Sequence, residues 1–130
     1  MSMVIPCAGA IARLRPDGMA EVRVADDHTC SLEEVQEVAR VISVLGNRMP
    51  LPVLRIAGKF SSVEDGVREF MATDAWQNRI LAEAIVIHSL PQRILWNFYL
   101  KMNRPKKPTF IFTNEKEAVA WLRQFTVSLN

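Results

Sequence analysis

The amino-acid sequence predicts one α/β domain in which helices flank a mixed, mostly parallel sheet that begins with a β-hairpin. Short apolar stretches bounded by turn residues alternate with segments whose apolar residues recur every three or four positions, which is typical of strands that alternate with helices. This alternation implies parallel crossover connections. The hairpin is indicated by residues 10–24, where two short β-compatible stretches flank the turn triplet Pro16-Asp17-Gly18, in which Gly18 can adopt a positive φ.

Size and composition are those of an ordinary soluble globular protein. The 130 residues are 49% hydrophobic and 23% charged, and the net charge of +2 does not by itself require nucleic acid or a membrane as partner. The charge is uneven, because residues 1–90 carry nine Lys/Arg against twelve Asp/Glu and residues 91–130 carry seven against two. With no internal repeat or linker, we expect a single domain over 1–130, in which residues 1–8 can form a loose N-terminal extension.

The clearest helix is predicted after the hairpin, within residues 29–47. Ser31 and Glu34 form an S-x-x-E capping-box pattern, apolar residues then recur at helical spacing, and Gly46 supplies a stop. A second helix is predicted from a similar pattern, Ser61 with Glu64.

The remaining elements alternate to the end of the chain. Residues 51–58, 82–89 and 108–113 are short apolar stretches that predict buried strands. Residues 73–82 predict a further helical turn or two. A helix that begins near Pro91 and a last helix that begins at Asn114, with Glu117 in its first turn, complete the order.

The chain resembles a known family over its second half. This element order, with a leading hairpin, is similar to that of the STAS domain, the fold of anti-sigma-factor antagonists. Residues 67–72 and 82–125 resemble more narrowly the small bacterial SpoIIAA-like proteins of STAS/SEC14 type. The matching features are the R-x-x-x-N-F helix, the N-x-P-x-x-P loop, a strand that ends in F-T and a closing E-A-x-x-W-L. The resemblance implies a STAS-like fold and a regulatory role through protein contacts.

One departure from the family pattern concerns its phosphorylated serine. The resemblance implies a serine in a D-S-S/T-G setting, but this chain reads FSSVEDGV, which puts Glu64 and Asp65 at the phosphoacceptor position. These carboxylates either compensate the positive end of a helix or imitate a phosphorylated state. Ser61 and Ser62 remain candidate acceptors, although serine before a helix is commonly a cap.

We find no pattern that predicts catalysis, a metal site or a cofactor. Neither His28 nor His88 belongs to a spacing typical of metal ligands, and Cys7 and Cys30 form no C-x-x-C pair. The sequence has no nucleophile elbow and no glycine-rich phosphate loop. We therefore expect no enzyme, no metal and no cofactor, with His88 at the end of a buried strand as the alternative catalytic candidate.

The helix QRILWNFYLKMN has the strongest interaction pattern. Leu90, Ile94 and Phe98 form the stripe that we expect to pack on the sheet, while large apolar residues extend beyond that stripe. A helix that is apolar nearly all round is either buried on both sides or meets a partner. We predict an interface, most simply of a homodimer, whose residues are Trp96, Tyr99, Leu100, Ile94 and Phe98.

The loop NRPKKPTF that follows is basic. Pro105 and Pro108 stiffen the connection and are expected to keep the cations between them in solvent. The candidate anion contacts are Lys101, Arg104, Lys106 and Lys107. The alternative is a solubilising turn with no ligand.

The functional prediction is a non-enzymatic, STAS-like interaction module, with a lipid-like apolar or anionic ligand beneath the 90–102 helix as the alternative. The start of the chain has no basic segment before its apolar patch, and no run reaches the roughly 18 apolar residues of a spanning helix. Two isolated cysteines favour a reducing compartment. We expect a cytoplasmic protein with no transmembrane segment.

Overall fold

The computed structural model describes residues 4–126 and has an α/β fold with a mixed sheet. The strands are β1 (Val4–Cys7), β2 (Ala10–Leu14), β3 (Ala20–Val24), β4 (Thr29–Cys30), β5 (Leu51–Ile56), β6 (Ser62–Val63), β7 (Ile80–Val86) and β8 (Thr109–Phe112). The helices are α1 (Leu32–Leu45), α2 (Val67–Met71), α3 (Asp74–Gln77), α4 (Leu90–Asn103) and α5 (Glu115–Leu122), and a 3-10 turn spans Arg123–Phe125.

Six strands form the main sheet in the order β1-β2-β3-β5-β7-β8, and β4 and β6 form a separate parallel pair. The pairs β3–β5, β5–β7 and β7–β8 are parallel, while β1–β2 and β2–β3 are antiparallel. The predicted mixed, mostly parallel sheet with a leading hairpin is therefore confirmed.

The hairpin turn has the predicted chemistry. Gly18 has a φ of 87°, and its N–H donates to the Arg15 carbonyl, which closes the turn between β2 and β3. The expected loose extension is corrected for residues 4–7, because they form β1 and pair with β2 from Val4 opposite Arg13 to Cys7 opposite Ala10. Residues 1–3 of that extension lie outside the described residues.

The S-x-x-E capping pattern predicted the start of α1 correctly and the start of α2 wrongly. The Ser31 side chain accepts from the Glu34 N–H, and the Glu34 side chain accepts from the Ser31 N–H. The predicted Ser61–Glu64 cap is wrong, since Ser62 belongs to β6 and α2 begins only at Val67, after Gly66 with a φ of 90°. The β4–β6 pairing holds this segment extended, so the helix starts later than its sequence pattern indicates.

The two faces of the sheet have separate cores. Helices α1 to α4 pack on one face, and α5 packs on the other through Ala118, Val119 and Leu122. None of the helices within residues 4–126 combines the length and the apolar character that crossing a lipid bilayer requires.

Candidate functional site

The outer flank of α4 is an exposed apolar surface. Its four residues follow one another at intervals of four, and their exposed fractions are 67% for Leu90, 61% for Ile94, 49% for Phe98 and 60% for Met102. Residues four apart lie on the same side of a helix, so these side chains form one continuous stripe. We call these four residues the α4 surface.

The opposite flank of α4 is buried, which reverses the predicted orientation. Trp96 is 4% exposed and Tyr99 is fully buried, and their rings meet edge to face at 5.6 Å. The predicted contact residues Trp96 and Tyr99 are therefore core residues, and Leu100 is half-buried. Of the predicted interface, Ile94 and Phe98 are exposed, although the stripe that contains them was expected to pack on the sheet.

Gln92 explains why the pattern of apolar residues predicted the wrong orientation of α4. It is only 4% exposed, and its side-chain amide donates to the carbonyls of Gly58 and Ser61, while its Oε1 accepts from the His88 N–H at 2.8 Å. These bonds fix the rotation of α4 with a polar residue facing inward. A hydrophobic pattern cannot locate a buried face that is marked by glutamine and two aromatic residues.

Exposed charged residues of both signs occur on α4 and on the neighbouring α2 segment. Arg93 and Lys101 are exposed on α4 itself, which contains no acidic residue. Helix α2 packs against α4, and the Arg68 guanidinium lies 5.0 Å from the Phe98 ring centroid. The exposed acidic residues of this α2 segment are Glu64, Asp65 and Glu69.

The segment that contains the candidate phosphoacceptor residues, 61–65, is partly buried and partly exposed. Ser61 is 8% exposed, and its carbonyl and hydroxyl accept from the Gln92 amide at 3.1 and 3.4 Å. Ser62, Glu64 and Asp65 are exposed. A phosphate on Ser61 would disrupt its hydrogen bonds with Gln92, whereas Ser62 is exposed to solvent.

The basic loop after α4 is largely engaged within the fold. Lys106 Nζ lies 2.6 Å from Asp74 Oδ1, and Lys107 donates through its N–H to Gln77 Oε1 and through Nζ to the Ile80 carbonyl. The expectation that all the loop cations stay in solvent is therefore corrected for Lys107, which satisfies a backbone carbonyl at the start of β7. Lys101 and Arg104 remain exposed.

A large concave site lies at the carboxyl ends of β3, β5 and β7. This groove has a volume of about 630 Å³. Its floor includes Ile11, Ile56 and Ala57, and its charged lining residues are Arg23, Asp26, Lys59 and His88. Open α/β sheets commonly bind ligands at the carboxyl ends of their strands. His88, the alternative catalytic candidate, is exposed here, and its N–H contacts Gln92.

A small cavity of about 20 Å³ lies beneath α4. It is lined by Arg55, Cys30, Ser61 and Trp96 among others. This volume matches about one water molecule. A cavity of this size does not hold a lipid-like ligand, and the ligand expected beneath the 90–102 helix stays a prediction.

Three residues with metal-ligating side chains converge beside the start of α1. One ligand atom each of His28, Cys30 and Glu34 lies within 4.8 Å of the others, and His28 Nε2 is 2.6 Å from Glu34 Oε2. Cys30 is 5% exposed. Burial raises the pKa of the Cys30 thiol, an effect that the nearby Arg55 charge opposes and the Glu34 charge reinforces.

A family model described as "Domain of unknown function (DUF7793)" matches residues 13–126. No curated protein and no solved structure matches the chain.

Proposed function

The chain belongs to the DUF7793 family, a domain of unknown function, and we propose that it is a non-enzymatic, STAS-like interaction module. In this proposal two copies of the chain associate through the α4 surface. The order of strands and helices supports the STAS-like assignment, since it is the order expected from the resemblance over the second half of the chain. The DUF7793 match itself carries no statement of function.

The observation that supports the contact is the exposure of four large side chains in one stripe. Leu90, Ile94, Phe98 and Met102 are all about half exposed or more, on a helix whose other flank already packs in the core. Contiguous exposed apolar patches typically mark interaction sites. Association would remove this surface from water, at roughly 25 cal/mol for each Å² of apolar area.

The distribution of charge favours a second copy of the chain as the occupant. A two-fold axis parallel to α4 would set Arg93 and Lys101 of one copy opposite the acidic α2 segment of the other. That segment carries Glu64, Asp65 and Glu69. The contact would then be isologous, with two parallel α4 helices and complementary charges on both rims.

The proposed module does not depend on phosphorylation of Ser61, because that residue is buried against Gln92. Its proposed setting is the cytoplasm, where the free Cys7 and Cys30 would stay reduced. Glu64 and Asp65 then act as constant negative charges at the rim of the contact.

Light scattering coupled to size-exclusion chromatography tests the proposal. The wild type should have about twice the 14.7 kDa mass of the chain. Phe98→Glu should be monomeric, because it places a charge in the apolar contact, whereas Val44→Glu should stay dimeric. Val44 is the matched control, since it is 61% exposed on α1 and lies away from α4.

A charge exchange tests the proposed geometry independently. The double reversal Arg93→Glu with Lys101→Glu should weaken the dimer, and adding Glu64→Lys with Glu69→Lys should restore it. A monomeric wild type at the highest soluble concentration would overturn self-association. A dimer that Phe98→Glu leaves intact would overturn the assigned surface.

The groove at the strand ends supports a second candidate function, which is the binding of a small anionic amphiphile. Its volume of about 630 Å³ falls in the range of about 300–1,000 Å³ usual for ligand sites. Apolar Ile11 and Ile56 adjoin Lys59 and Arg23, a lining suited to a short acyl chain with an anionic head.

Calorimetric titration with dodecanoate tests this candidate. Lys59→Ala should weaken binding, whereas Lys116→Ala should not; absence of binding to the wild type would exclude this class of ligand.

A further inference from the structure

We infer that His28, Cys30 and Glu34 form a binding site for one divalent zinc ion. The three residues supply an imidazole nitrogen, a thiolate sulfur and a carboxylate oxygen, with all three ligand atoms within 4.8 Å of one another. These are the donor types that zinc binds in proteins. The site goes beyond self-association through α4, because it would bind a metal ion and shares no residue with the α4 surface.

The local fold brings the three donors together. His28 and Cys30 are two residues apart along the extended segment that includes β4, so their side chains project to the same side. This segment is held at both residues, since the His28 carbonyl accepts from the Ser62 N–H and the Cys30 carbonyl accepts from the Glu64 N–H. The donors therefore project from a backbone that is fixed by hydrogen bonds.

The third donor comes from the first turn of α1. The capping box turns Glu34 back over its own helix start, with Oε2 at 3.3 Å from the Ser31 N–H and 2.6 Å from His28 Nε2. The cap thus delivers a carboxylate to the imidazole and the thiol. The contact holds two of the proposed donor atoms beside each other, and zinc would replace it between them.

Gly9 fixes the position of the imidazole from the other side. A Cβ at residue 9 would collide with the His28 ring, and Gly9 has a φ of 71°. Only glycine accepts both the conformation and the close approach. The turn between β1 and β2 is therefore built against the ring that supplies the nitrogen ligand.

The types of donor atom and the distances between them favour zinc over other metal ions. In a tetrahedral zinc site the ligand atoms lie roughly 3.2–3.8 Å apart, given Zn–N and Zn–O distances near 2.0 Å and Zn–S near 2.3 Å. Zinc binding would draw the three ligand atoms, which lie within 4.8 Å of one another, into this range. A thiolate favours zinc over magnesium or calcium, which prefer oxygen ligands alone.

Zinc binding would displace the proton of the Cys30 thiol, which passes to solvent. His28 would bind through Nε2 as a neutral imidazole with its proton on Nδ1, and Glu34 would bind as the carboxylate, with the ion between the three donors. Cys30 closes the inner side of the site at 5% exposure, while the His28 and Glu34 side chains are 28% and 22% exposed. The fourth position thus faces solvent and takes a water molecule, as in zinc sites with three protein ligands.

The chain supplies a matched control for each ligand. It has two cysteines and two histidines, so Cys7→Ser and His88→Asn remove the same chemistry away from the cluster. Glu37→Gln, one turn further along α1, controls for Glu34→Gln. The full chain is first stripped with a chelator, and every variant is checked for folding by circular dichroism and thermal melting.

Cobalt substitution and zinc competition are the two readouts. One equivalent of Co²⁺ should give the near-ultraviolet band of a thiolate-to-cobalt charge transfer in the wild type, Cys7→Ser and His88→Asn, but not in Cys30→Ala. Competition with a chromogenic chelator should show zinc affinity at least about tenfold weaker in His28→Asn and Glu34→Gln, with Glu37→Gln unchanged. If Cys30→Ala does not fold, the comparison of His28→Asn and Glu34→Gln with their controls decides.

Two results would overturn the site. The first is a folded wild type that shows no thiolate band with one equivalent of Co²⁺. The second is a loss of zinc affinity that is the same in control and cluster variants, which would show adventitious binding only. Because none of these variants alters the α4 surface, a failed zinc site leaves the dimer mass unchanged, and a failed dimer leaves the cobalt spectrum unchanged.

Discussion

Arg55 and Glu83 form an ion pair on the face of the sheet that α1 to α4 cover, with Arg55 Nε 2.8 Å from Glu83 Oε2. The two residues lie on neighbouring parallel strands, and their side chains are 4% and 0% exposed. Trp76 Nε1 donates to the other Glu83 oxygen at 3.0 Å, and its ring lies 5.1 Å from the Arg55 guanidinium. The core beneath α3 and α4 is therefore organised around a charged pair.

Removing one member of this pair should be costly. Glu83→Leu leaves the Arg55 guanidinium buried without its counter-charge, which typically lowers the free energy of unfolding by about 3–5 kcal/mol. Urea denaturation monitored by tryptophan fluorescence measures the loss. The matched control is Glu115→Leu, which removes an exposed pair with Arg23 and should cost at most about 1 kcal/mol. Equal losses would show that the buried pair contributes no more than a surface contact.

The two flanks of α4 should respond differently to truncation. Trp96→Ala removes a core ring, which should cost about 3–5 kcal/mol of unfolding free energy. Phe98→Ala, at 49% exposure, should cost much less when measured at a concentration where the chain is monomeric. The reverse order in chemical denaturation would mean that α4 is rotated and that Trp96 faces solvent.

Gly9 and Gly18 require glycine for different reasons, which are close packing at Gly9 and backbone conformation alone at Gly18. Both have a positive φ, of 71° and 87°. Gly18→Ala meets nothing nearby, so it should cost only the backbone strain of about 1–2 kcal/mol. Gly9→Ala should cost more, because its Cβ collides with the His28 ring. Urea midpoints of the two variants give the comparison, and a smaller effect at Gly9 would contradict the close packing. Gly9→Ala should also weaken zinc binding.

Acid should destabilise the domain through Glu21. Burial tends to raise the pKa of this carboxyl, but hydrogen bonds and charge from Arg13, Arg23 and Arg15 outweigh burial and hold the pKa below its ordinary value. A lowered pKa in the folded state gives stability that is present above the unfolded value of about 4.3 and is lost as the pH falls through the folded pKa.

A pH series of urea unfolding tests this linkage. The free energy of unfolding of the wild type should fall as the pH drops below the unfolded glutamate pKa. In Glu21→Gln the fall should be shallower, because one titrating group is absent. Parallel curves for the two proteins would exclude Glu21 as a source of the pH dependence.

Local patterns in the sequence predicted the order of the elements. Gly18 in its turn triplet, the Ser31–Glu34 cap and the Asn114 cap are decided by residues close together in the chain, and the structure has each of them. The start of α2 was missed, because β4 pairs with β6 and holds Ser62 in a strand. That pairing joins segments more than thirty residues apart, and no local pattern contains it.

The site was less predictable than the fold. The apolar count along α4 indicated an exposed surface, but its direction depends on hydrogen bonds from Gln92 to Gly58 and Ser61. The approach of His28, Cys30 and Glu34 depends on a strand and a helix cap that meet at Ser31, which a search for standard ligand spacings does not find. Each of two apolar strands contains a single charged residue, Arg55 in β5 and Glu83 in β7. These two residues were the sequence feature that could have predicted the buried pair.

Self-association of α4 can be tested most directly by cysteine cross-linking. In a background with Cys7→Ser and Cys30→Ala, single cysteines are placed at Leu90, Ile94, Phe98 and Met102, with Val44→Cys as the control, and mild oxidation is followed by mass determination. In a parallel two-fold contact at least one stripe position faces itself, so we expect a covalent dimer there and none at Val44. Stripe cysteines that cross-link no faster than Val44→Cys would contradict the proposal that α4 joins two copies of this chain.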